Sequence, residues 1–429
     1  MHLKLKKIDA IIVVTLVIVS GLFLYKAGYI QSPIPIGPTP PPEPDNVTTP
    51  PEIPTPPTSF IPSFRRDVSP EDEGVHYDKL RIAREWWYFG AVFNDEESEL
   101  KNWAIQISFN HMARGDLIGT TKPDLLIVTL YGPDGETYGG MINKKRYPLQ
   151  ILNTGTLIAS SPGVSVEFED SWAEGEYPNW HVHAEDKDID NAHEIIIDLD
   201  YKTNSLPIWT IGSRAFDQSK SSIANYLFTG CEVSGTVEID GEEYVVKGIG
   251  HHEHSWTPKA VTLGVINGWD WFHMTLDNGW NIYSTTFYPM PQAITSKTTK
   301  INPLSILLIT TDNGETFTEL RNVDIKITRQ DEQIFPFVKM PTDFNIIAKP
   351  SLKPLYVISQ ALLYGTNTEL DCDIEVENAC SKVWKFPTYM GMKVGSCEIE
   401  GTLSWSDDDG DHNIPINGIG VSWSMRALL

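Results

Sequence analysis

The sequence predicts an all-β protein that contains two tandem copies of one antiparallel β-domain. Short apolar or alternating runs recur along the chain, and turn dipeptides such as Asp240-Gly241 separate many of them. Many short strands with regular turns are typical of antiparallel sandwiches and barrels rather than of units that alternate strand and helix. The best helix candidate in this region is one segment, Pro354–Tyr364. A repeated Cys-Glu-x-x-Gly-Thr segment, described below, indicates the duplication.

The first 30 residues (1–30) predict a membrane anchor. Lys4, Lys6 and Lys7 precede an uninterrupted run of apolar and small residues, Ala10–Tyr25. The run is short for a transmembrane helix, but flanking residues that snorkel to the interface can complete it. A cleaved signal peptide is the alternative, and Tyr25–Tyr29 is a poor cleavage site for one. Because positive residues stay in the cytoplasm, we expect a single-pass protein of the cell membrane whose globular part is extracytoplasmic.

Residues 31–65 predict a proline-rich stalk between the anchor and the β-rich part. Thirteen prolines lie between Ser32 and Ser63. Such a segment cannot form a hydrophobic core and favours extended polyproline structure, with a reach of roughly 100 Å at about 3.1 Å per residue. Asn46-Val47-Thr48 is a glycosylation sequon within it. The stalk would hold the globular part away from the membrane.

The β-rich part divides into two predicted domains, residues 75–262 and residues 263–429. Segments of the first domain return in the second in the same order, which is typical of a tandem duplication. The second copy continues into Val421-Ser422-Trp423, without His or Glu, so we expect any chemistry in the first copy. The matched pairs are Cys231–Val237 with Cys397–Leu403, Gly248–Gly250 with Gly418–Gly420 and, more loosely, Glu85–Phe89 with Asp270–Met274.

The segment Lys247–Trp256 is the densest group of titratable and aromatic side chains in the chain. It follows a turn between two strand-like runs, which is a strong hairpin signal. Alternate residues of a strand share a face. One face would hold Gly248, Gly250, His252, His254 and Trp256. If this face points inward, the glycines leave space and the other three residues border it, which predicts part of a ligand pocket.

The composition argues against a nucleic-acid role. The net charge is −24, and no cluster of Lys and Arg follows the first few residues. Phosphate binding requires a positive surface, so the acidity is better explained by solubility. Thirteen tryptophans and a hydrophobic fraction of 41% are enough for substantial cores, and tryptophan also suits pocket walls.

Three motifs in order resemble the CrtC/AttH-like lipocalin family, which includes the carotenoid 1,2-hydratases (hydroxyneurosporene synthases). The motifs are Glu85–Phe89, Gly250–Trp256 and Gly268–Phe272. The resemblance covers roughly residues 75–429 and implies two tandem lipocalin-like antiparallel β-barrels around an apolar cavity suited to isoprenoids. In hydratase members, the His and Trp of the middle motif work with a Tyr-x-Asp pair. His254 and Trp256 match the former, whereas the strand that ends in Tyr283 carries no carboxylate.

The chemistry that the resemblance implies is hydration of an isolated alkene. A protonated acid in a dry pocket would make a tertiary cation, an aromatic face would stabilise the cation, and a positioned water would capture it. We expect Trp256 to supply the aromatic face and His254 to orient the water or relay protons. The acid would be Glu253, Glu85 or Asp270, if burial raises its pKa. The remaining candidate ligand-binding residues are Glu85, Trp87, His252, Asp270, Trp271 and Tyr283. For Glu85 and Asp270, a structural hydrogen bond to backbone at the base of the barrel is the favoured interpretation.

A metal site is an alternative, because three histidines and a glutamate are adjacent at residues 251–254. Adjacent strand residues point to opposite faces, so at most two of these four converge, and further ligands such as His111, His181 or His183 would have to come from elsewhere. The spacing matches no helical zinc motif, and no phosphate-binding glycine loop follows. We therefore expect no metal and no cofactor.

The four cysteines invite disulfides if the domain is extracytoplasmic. Cys372–Cys380 is the favoured pair, because the two residues are close in sequence, and Cys380–Cys397 is the second choice.

Two functional hypotheses remain open from the sequence. The first is an enzyme of the carotenoid hydratase type, a hydro-lyase or an isomerase, which predicts a protonatable carboxyl beside His254 and Trp256 in a closed cavity. The second is a non-catalytic carrier or sensor of isoprenoids or lipids, which predicts an open cavity and no buried acid. In both cases the partners are a hydrophobic small molecule and the membrane, and not nucleic acid.

Overall fold

The structure is a computed structural model, and its description covers fourteen ranges of the chain. These are residues 53–57, 68–77, 82–112, 124–142, 157–186, 193–204, 207–211, 224–258, 268–288, 305–320, 322–335, 338–349, 368–384 and 390–427. Among these residues, no helix is both long and apolar enough to cross a membrane. The predicted anchor, the sequon and the helix candidate Pro354–Tyr364 lie outside the described ranges.

The described residues form one short helix and two β-sheets. The helix is α1 (Pro70–Glu73). The first sheet contains β1 (Ile82–Phe93), β2 (Ala104–Met112), β3 (Leu125–Tyr131), β4 (Thr137–Ile142), β5 (Ile158–Ala159), β6 (Val164–Phe168), β7 (Ser171–Glu176), β8 (Asn179–Asp186), β9 (Ile195–Lys202), β10 (Ile208–Ile211), β11 (Ala224–Ile239) and β12 (Glu242–Pro258). The second contains β13 (Gly268–Leu276), β14 (Asn281–Tyr288), β15 (Ile306–Thr310), β16 (Thr318–Leu320), β17 (Asn322–Phe335), β18 (Val338–Lys349), β19 (Glu369–Trp384), β20 (Met390–Asp407) and β21 (Gly410–Ala427).

Both sheets are antiparallel and curl into half-barrels with the same strand order. The first runs β4-β3-β2-β1-β12-β11-β9-β8-β7-β6-β5, with β10 paired to β11, and the second runs β16-β15-β14-β13-β21-β20-β19-β18-β17. In each, the first strand of the sheet pairs with the last one at its centre. The all-β prediction is confirmed; the last strand of the first sheet ends at Pro258, and the first strand of the second sheet begins at Gly268. The exact domain limits of 75–262 and 263–429 stay a prediction.

The strand registers show the internal repeat residue by residue. Cys231 lies opposite Gly250 in the first sheet, and Cys397 lies opposite Gly420 in the second. The same registers equate Trp87 with Asp270, because these residues lie opposite His254 and Ser424. The predicted equivalence of Glu85 and Asp270 is therefore wrong by two residues, although both side chains share the inner face of their sheet.

The repeated glycines allow backbones to approach each other and do not leave space for a ligand. A Cβ atom on Gly250 would lie 2.5 Å from the Gly90 carbonyl oxygen, and one on Gly420 would lie 2.1 Å from the His273 carbonyl oxygen. Both distances are too short for any side chain. The expectation that the Gly-Ile-Gly segment hollows out a pocket is corrected by this packing.

Buried side chains form three hydrophobic clusters rather than two. One fills the concave side of the first sheet, with Trp87, Phe89 and Trp256 among its members. Another fills the concave side of the second sheet around Phe272. The third joins the outer faces of the two sheets, where Tyr88 of β1 belongs to the same cluster as residues of β13 and β21. This inter-sheet cluster determines where the candidate site lies.

One end of the predicted stalk contacts the second sheet. Pro56 is buried, and the carbonyl oxygen of Pro57 accepts a 2.8 Å hydrogen bond from the Thr318 hydroxyl of β16. Residues 54–57 therefore belong to the folded unit that continues to the end of the chain. The remainder of the predicted stalk before residue 53 lies outside the described ranges.

The predicted disulfides are wrong, because Cys372 and Cys397 are both free and buried. Cys372 and Cys380 lie on the same strand, β19, and eight strand residues span about 26 Å. A disulfide requires Cα atoms within about 7 Å. Cys397 lies opposite Val376, whereas Cys380 lies opposite Val394, so the second choice is also too far apart. Proximity in sequence was a poor guide because the segment is extended.

Candidate functional site

The side chains of β12 alternate between the two faces of the first sheet, as the sequence predicts. His252 faces inward, where its ring stacks on Phe89 at 4.4 Å between centroids and tilts against Trp180 at 4.7 Å. Glu253 faces the second sheet, where its carboxylate accepts a hydrogen bond from Trp271. The same strand thus supplies a packed core on one side and an interface on the other.

Among the described residues, the inward face of β12 packs against other buried side chains. His252, His254, Trp256 and Trp87 are each fully buried. Trp87 stacks on His254 at 4.7 Å, and Trp256 stacks on His76 at 3.7 Å with an interplanar angle of 9°. None of these residues is among the described residues that line the inter-sheet cavity defined below. The structure therefore places these four predicted site residues within packed aromatic layers.

Glu85 is the centre of a buried hydrogen-bond cluster that ties the segment before β1 to the sheet. Its carboxylate accepts the backbone N–H of His76, with both oxygens at 3.0 Å, and that of Tyr77 at 2.8 Å. The His76 Nδ1 and His254 Nε2 atoms lie 2.9 and 3.0 Å from Glu85 Oε1. Burial alone would raise the pKa of Glu85, but the hydrogen bonds from His254 and His76 outweigh it and lower the pKa. The favoured structural interpretation of Glu85 agrees with these backbone contacts.

The Glu85 cluster also includes α1. His254 Nδ1 lies 3.0 Å from the Asp72 carbonyl oxygen, and the Trp87 indole donates to the Glu73 carbonyl oxygen at 2.9 Å. Ser69 caps the helix by a reciprocal pair of bonds with Asp72. The capped turn is thereby held with the Asp72 carbonyl group next to the His254 ring and the Glu73 carbonyl group next to the Trp87 ring.

His76, Glu85 and His254 are the described residues that could hold a metal ion, since one possible ligand atom from each lies within 4.8 Å of the others. The Glu85 carboxylate already accepts the backbone N–H of His76, shared by its two oxygens, and the backbone N–H of Tyr77 on Oε2. The other ring nitrogen of His76, Nε2, is buried and makes no hydrogen bond among the described residues. Burial lowers the pKa of His254, while the bond to Glu85 acts in the opposite direction.

The second sheet has a different buried clamp near the equivalent place. Arg426 donates two 2.9 Å hydrogen bonds to Asp270, and the Ser424 hydroxyl donates a third at 2.7 Å. The Tyr288 hydroxyl donates to the same carboxylate. Burial would lower the pKa of Arg426, but Asp270 outweighs it and raises the pKa. The carboxylate of Asp270 thus has structural partners, and Asp270 is not among the described residues that line the inter-sheet cavity.

The candidate functional site is a cavity between the outer faces of the two sheets. The first sheet contributes residues of β1, β11 and β12, and the second contributes residues of β13, β14 and β21. The lining residues are Arg84, Trp86, Tyr88, Asn225, Glu253, Ser255, Thr257, Trp269, Trp271, Tyr283, Thr285, Phe287 and Trp423. This set is referred to below as the inter-sheet cavity.

Glu253 carries the carboxyl group of the inter-sheet cavity, and both sheets hold it. The Trp86 indole of β1 donates to Oε1 at 2.9 Å. The Trp271 indole of β13 and the Tyr283 hydroxyl of β14 donate to Oε2 at 3.1 and 3.3 Å. Glu253 is 5% exposed, and burial raises its pKa, although these hydrogen bonds act in the opposite direction. A buried acid whose proton affinity is increased is a possible proton donor at neutral pH.

The walls around Glu253 are mainly aromatic. Trp269 lies 6.2 Å from Trp86 and 5.7 Å from Trp423, measured between ring centroids. Arg84 lies over the Trp269 ring at 5.7 Å, and burial lowers the pKa of its guanidinium to about 10. Electron-rich ring faces of this kind stabilise positive charge. The cavity therefore combines a buried acid with surfaces that suit an apolar or transiently cationic ligand.

Three of the nine predicted site residues line this cavity: Glu253, Trp271 and Tyr283. Sequence reasoning missed Trp86, although its neighbour Trp87 was chosen from the same motif. The available signal was the strand alternation, since Trp86 lies opposite Ser255 and shares the outer face with Glu253. Any catalytic or binding role of the predicted residues remains a prediction.

The fold and the cavity define an all-β protein in which two tandem half-barrel sheets hold a buried acid between them. The sequence profile of the AttH-like family matches residues 64–332, more than half of the chain. The chain belongs to the AttH-like family. No curated protein matches it closely enough to count as a relative.

Solved structures show the same fold at low sequence identity. A protein from Nitrosomonas europaea assigned to AttH is 15% identical, with a TM-score of 0.50 over 84% of this chain and 96% of its own. Kievitone hydratase from Nectria haematococca is 12% identical, with a TM-score of 0.52 over 87% of this chain and 98% of its own. At these identities the likeness concerns the fold.

Proposed function

We propose that the protein binds an apolar, unsaturated ligand of the isoprenoid or lipid class in the inter-sheet cavity and protonates it through Glu253. The observation that carries the proposal is the Glu253 carboxyl, buried among indole rings and held by donors from both sheets. The likeness to a hydratase in fold and the resemblance to carotenoid 1,2-hydratases support the same reaction class. The reaction is alkene hydration or isomerisation.

The proposed reaction has two steps in which atoms and charge balance. The Glu253 carboxylic acid transfers its proton to one alkene carbon, which leaves a carbocation and a carboxylate. A water molecule then forms a C–O bond to the cation and returns a proton to the carboxylate, giving an alcohol. In an isomerisation, the carboxylate instead removes a proton from the carbon next to the cation.

The surroundings of Glu253 provide what each step needs. Burial favours the protonated acid before the reaction. The Trp86 and Trp271 indoles and the Tyr283 hydroxyl donate to the carboxylate after it has formed. Trp269 and Trp423 line the same cavity, and aromatic rings there would stabilise the developing cation. In this proposal, Trp269 and Trp423 take the cation-stabilising role that the sequence assigned to Trp256, which lies on the opposite face of the first sheet.

A non-catalytic carrier is the second candidate, and one observation favours it. Four side chains, those of Trp86, Trp271, Asn225 and Tyr283, donate to the Glu253 carboxylate. Such donors favour the ionised form, which cannot protonate an alkene. In that case the carboxylate would fix the orientation of a bound ligand. The two candidates share the cavity and differ in the protonation state of one group.

Incubation of the protein with geranylgeraniol in ¹⁸O-labelled water, followed by mass spectrometry, tests the proposal. A hydratase incorporates ¹⁸O into the product, and Glu253→Gln, which cannot supply a carboxylic proton, abolishes incorporation. An His254→Ala variant that remains folded keeps at least part of the activity, because His254 does not line the cavity. Binding without any product supports the carrier, and activity that survives in Glu253→Gln contradicts the assigned acid.

We also propose that each sheet belongs to a lipocalin-like barrel and that residues 1–30 anchor the protein in the cell membrane. The apolar run Ala10–Tyr25 and the basic residues before it support the anchor. A membrane origin would also suit a greasy ligand. Fractionation of cells that express the full chain tests the anchor, since a protein released without detergent contradicts it.

A further inference from the structure

The inter-sheet cavity has an open end and an inner end. Among its described lining residues, Trp86 and Phe287 are half-buried and the others are buried. Both lie next to Trp269, since Trp86 is 6.2 Å from it between ring centroids and Phe287 is opposite it in the strand register. Tyr88 follows Trp86 on the same face of β1, and its ring packs over the next residue of that face, Gly90. The open end is therefore at Trp269, and the inner end is at Tyr88.

Two residues that line the inner end carry hydrogen-bonding atoms with no partner among the described residues. These atoms are the Tyr88 hydroxyl oxygen and Nε1 of the Trp423 indole. The two residues come from different sheets, are 2% and 5% exposed, and lie 6.2 Å apart between ring centroids. An unpartnered buried donor is destabilising, and its usual explanation is a partner that is not part of the chain, such as water or a ligand.

Two buried histidines lie behind these residues. The His251 ring lies 4.9 Å from that of Tyr88 and 5.0 Å from that of Trp271, both of which line the cavity. The His273 ring lies 3.9 Å from that of His251. Both ring nitrogens of His251, and Nε2 of His273, make no hydrogen bond within the described part of the chain. We call Tyr88, Trp423, His251 and His273 the inner polar group.

We propose that the inner polar group binds an oxygen atom of the ligand, so that the ligand is an isoprenoid or lipid alcohol, phenol or carbonyl compound and not a pure hydrocarbon. This inference rests on the proposed function, because it concerns the ligand of the same cavity. The Tyr88 hydroxyl and the Trp423 indole would donate hydrogen bonds to the oxygen. The imidazoles behind them supply acceptor nitrogens for a hydroxyl proton, either directly or through a water molecule.

The inner polar group fits a neutral oxygen better than a carboxylate or a phosphate. Burial lowers the pKa of His273 to about 3 and lowers the pKa of His251 well below its usual value, so both imidazoles are uncharged at neutral pH. Burial also raises the pKa of Tyr88, so its hydroxyl keeps its proton and can donate. An anion bound here would be buried without a cation of the group beside it, which is unfavourable.

The position of Glu253 determines which part of such a ligand would react. Glu253 lies opposite Tyr88 in the strand register and accepts a hydrogen bond from Trp86, so it lies between the inner polar group and the open end. A ligand that is held by its oxygen at the inner end would place an alkene a few bonds from that oxygen beside the carboxyl group. Its apolar remainder would extend toward Trp269.

Fluorescence titration of the full-length protein with retinol and with its hydrocarbon analogue, which carries CH₃ in place of the terminal CH₂OH, tests the inference. We expect the wild type to bind retinol at least about tenfold more tightly, because the analogue leaves the buried donors unpaired. Tyr88→Phe removes one hydroxyl and keeps the ring. It should weaken retinol binding about three- to tenfold and leave the affinity for the analogue unchanged.

Tyr201→Phe is the matched control variant. Tyr201 is 1% exposed, and its hydroxyl likewise makes no hydrogen bond with a described residue, but it packs in the core on the concave side of the first sheet. Its removal should leave the affinity for both ligands unchanged. Urea unfolding without ligand gives a second readout, since loss of the unpartnered Tyr88 hydroxyl should not lower the free energy of unfolding.

The outcomes separate this inference from the proposed function. If the wild type binds retinol and the analogue equally well, the cavity takes an apolar ligand, and the assigned oxygen site is overturned while the proposed function stands. Retinol binding that is undiminished in Tyr88→Phe, or reduced as much in Tyr201→Phe, also overturns the oxygen site. So does a Tyr88→Phe protein that loses affinity equally for both ligands, because packing then explains the loss. If the wild type binds neither compound, the proposed function fails, and the inference fails with it.

Discussion

The imidazoles that are buried in the neutral form should make this protein less stable as the pH falls below 6.5, although Glu73, whose pKa burial raises to about 7, acts in the opposite direction. His252 and His273 are 0% and 1% exposed, and burial lowers the pKa of each to about 3. His251, whose ring lies 3.9 Å from that of His273, has its pKa lowered well below 6.5 by burial and by its histidine neighbours. Between pH 6.5 and 3, the unfolded chain therefore binds protons that the folded chain does not bind.

Because the pKa values of these histidines are lowered in the folded state, the free energy of unfolding decreases as the pH falls. For a histidine whose folded pKa lies below the unfolded value, the stabilising contribution is fully present above pH 6.5 and is lost as the pH falls toward 3. At pH 5.5, each of His252 and His273 should reduce the free energy of unfolding by about 1.4 kcal/mol relative to pH 7.5, or about 3 kcal/mol for both. The folded-state pKa of Glu85, which is also lowered, acts in the same direction at a lower pH.

Urea unfolding at pH 7.5 and pH 5.5 measures this difference, and a single variant isolates one histidine. His252→Asn should narrow the gap between the two pH values by about 1.4 kcal/mol, since one titrating group has been removed. Ser234→Ala, at an exposed position of the same sheet that carries no titrating group, should leave the gap unchanged. If His252→Asn shows the same pH dependence as the wild type, the neutral buried imidazole is not the origin of acid sensitivity.

Three further outcomes are expected from other parts of the fold. Arg426→Met leaves the Asp270 carboxylate buried without its ion-pair partner and should lower the free energy of unfolding in urea by about 3–5 kcal/mol. The double variant Asp270→Leu/Arg426→Met should lower it by less. If the two single effects simply add in the double variant, the pairing is contradicted. Gly420→Ala should destabilise by about 3 kcal/mol because its Cβ has no room against the adjacent strand, and an unchanged melting temperature would refute that close approach. Burial raises the pKa of the Cys231 thiol to about 12, so a thiol reagent should label it after unfolding and not in the native protein, as followed by mass spectrometry.

The sequence predicted the structure correctly where a pattern is compatible with a single arrangement of the chain. The Cys-Glu and Gly-Ile-Gly segments repeat, and the registers confirm that Cys231 and Cys397 oppose equivalent glycines. The alternation along β12 also holds, with His252 and Glu253 on opposite faces. Such features depend on local chain geometry, which the order of residues determines.

The side of the sheet that carries the cavity could not be predicted from the alternation. Trp86 and Trp87 are adjacent indoles, and each face of β1 bears aromatic residues, so both faces look like an interior. The outer face is enclosed because the second sheet packs on it, bringing Trp271 and Tyr283 to Glu253. This long-range contact has no signature in the first domain alone.

Loose sequence matches between the two copies did not predict which residues are structurally equivalent, and the error was two residues. Glu85 and Asp270 look equivalent within aromatic motifs, yet the registers pair Asp270 with Ser424 and Glu85 with Trp256. An acid can move by two positions on a strand and still face the same side. The duplication therefore preserved a buried acid in each sheet with different partners, imidazoles in one and a guanidinium in the other.

Retinol binding, followed by ligand fluorescence in three matched proteins, tests most directly whether the space between the two sheets is the ligand site. Ser255 is buried and lines that space, so an indole in Ser255→Trp would occupy it, whereas Ser234 is exposed on the same sheet and Ser234→Trp is the control. We predict that the wild type and Ser234→Trp bind retinol with the same affinity and that a folded Ser255→Trp binds at least tenfold more weakly. Equal binding by Ser255→Trp, or none by the wild type, would contradict the account.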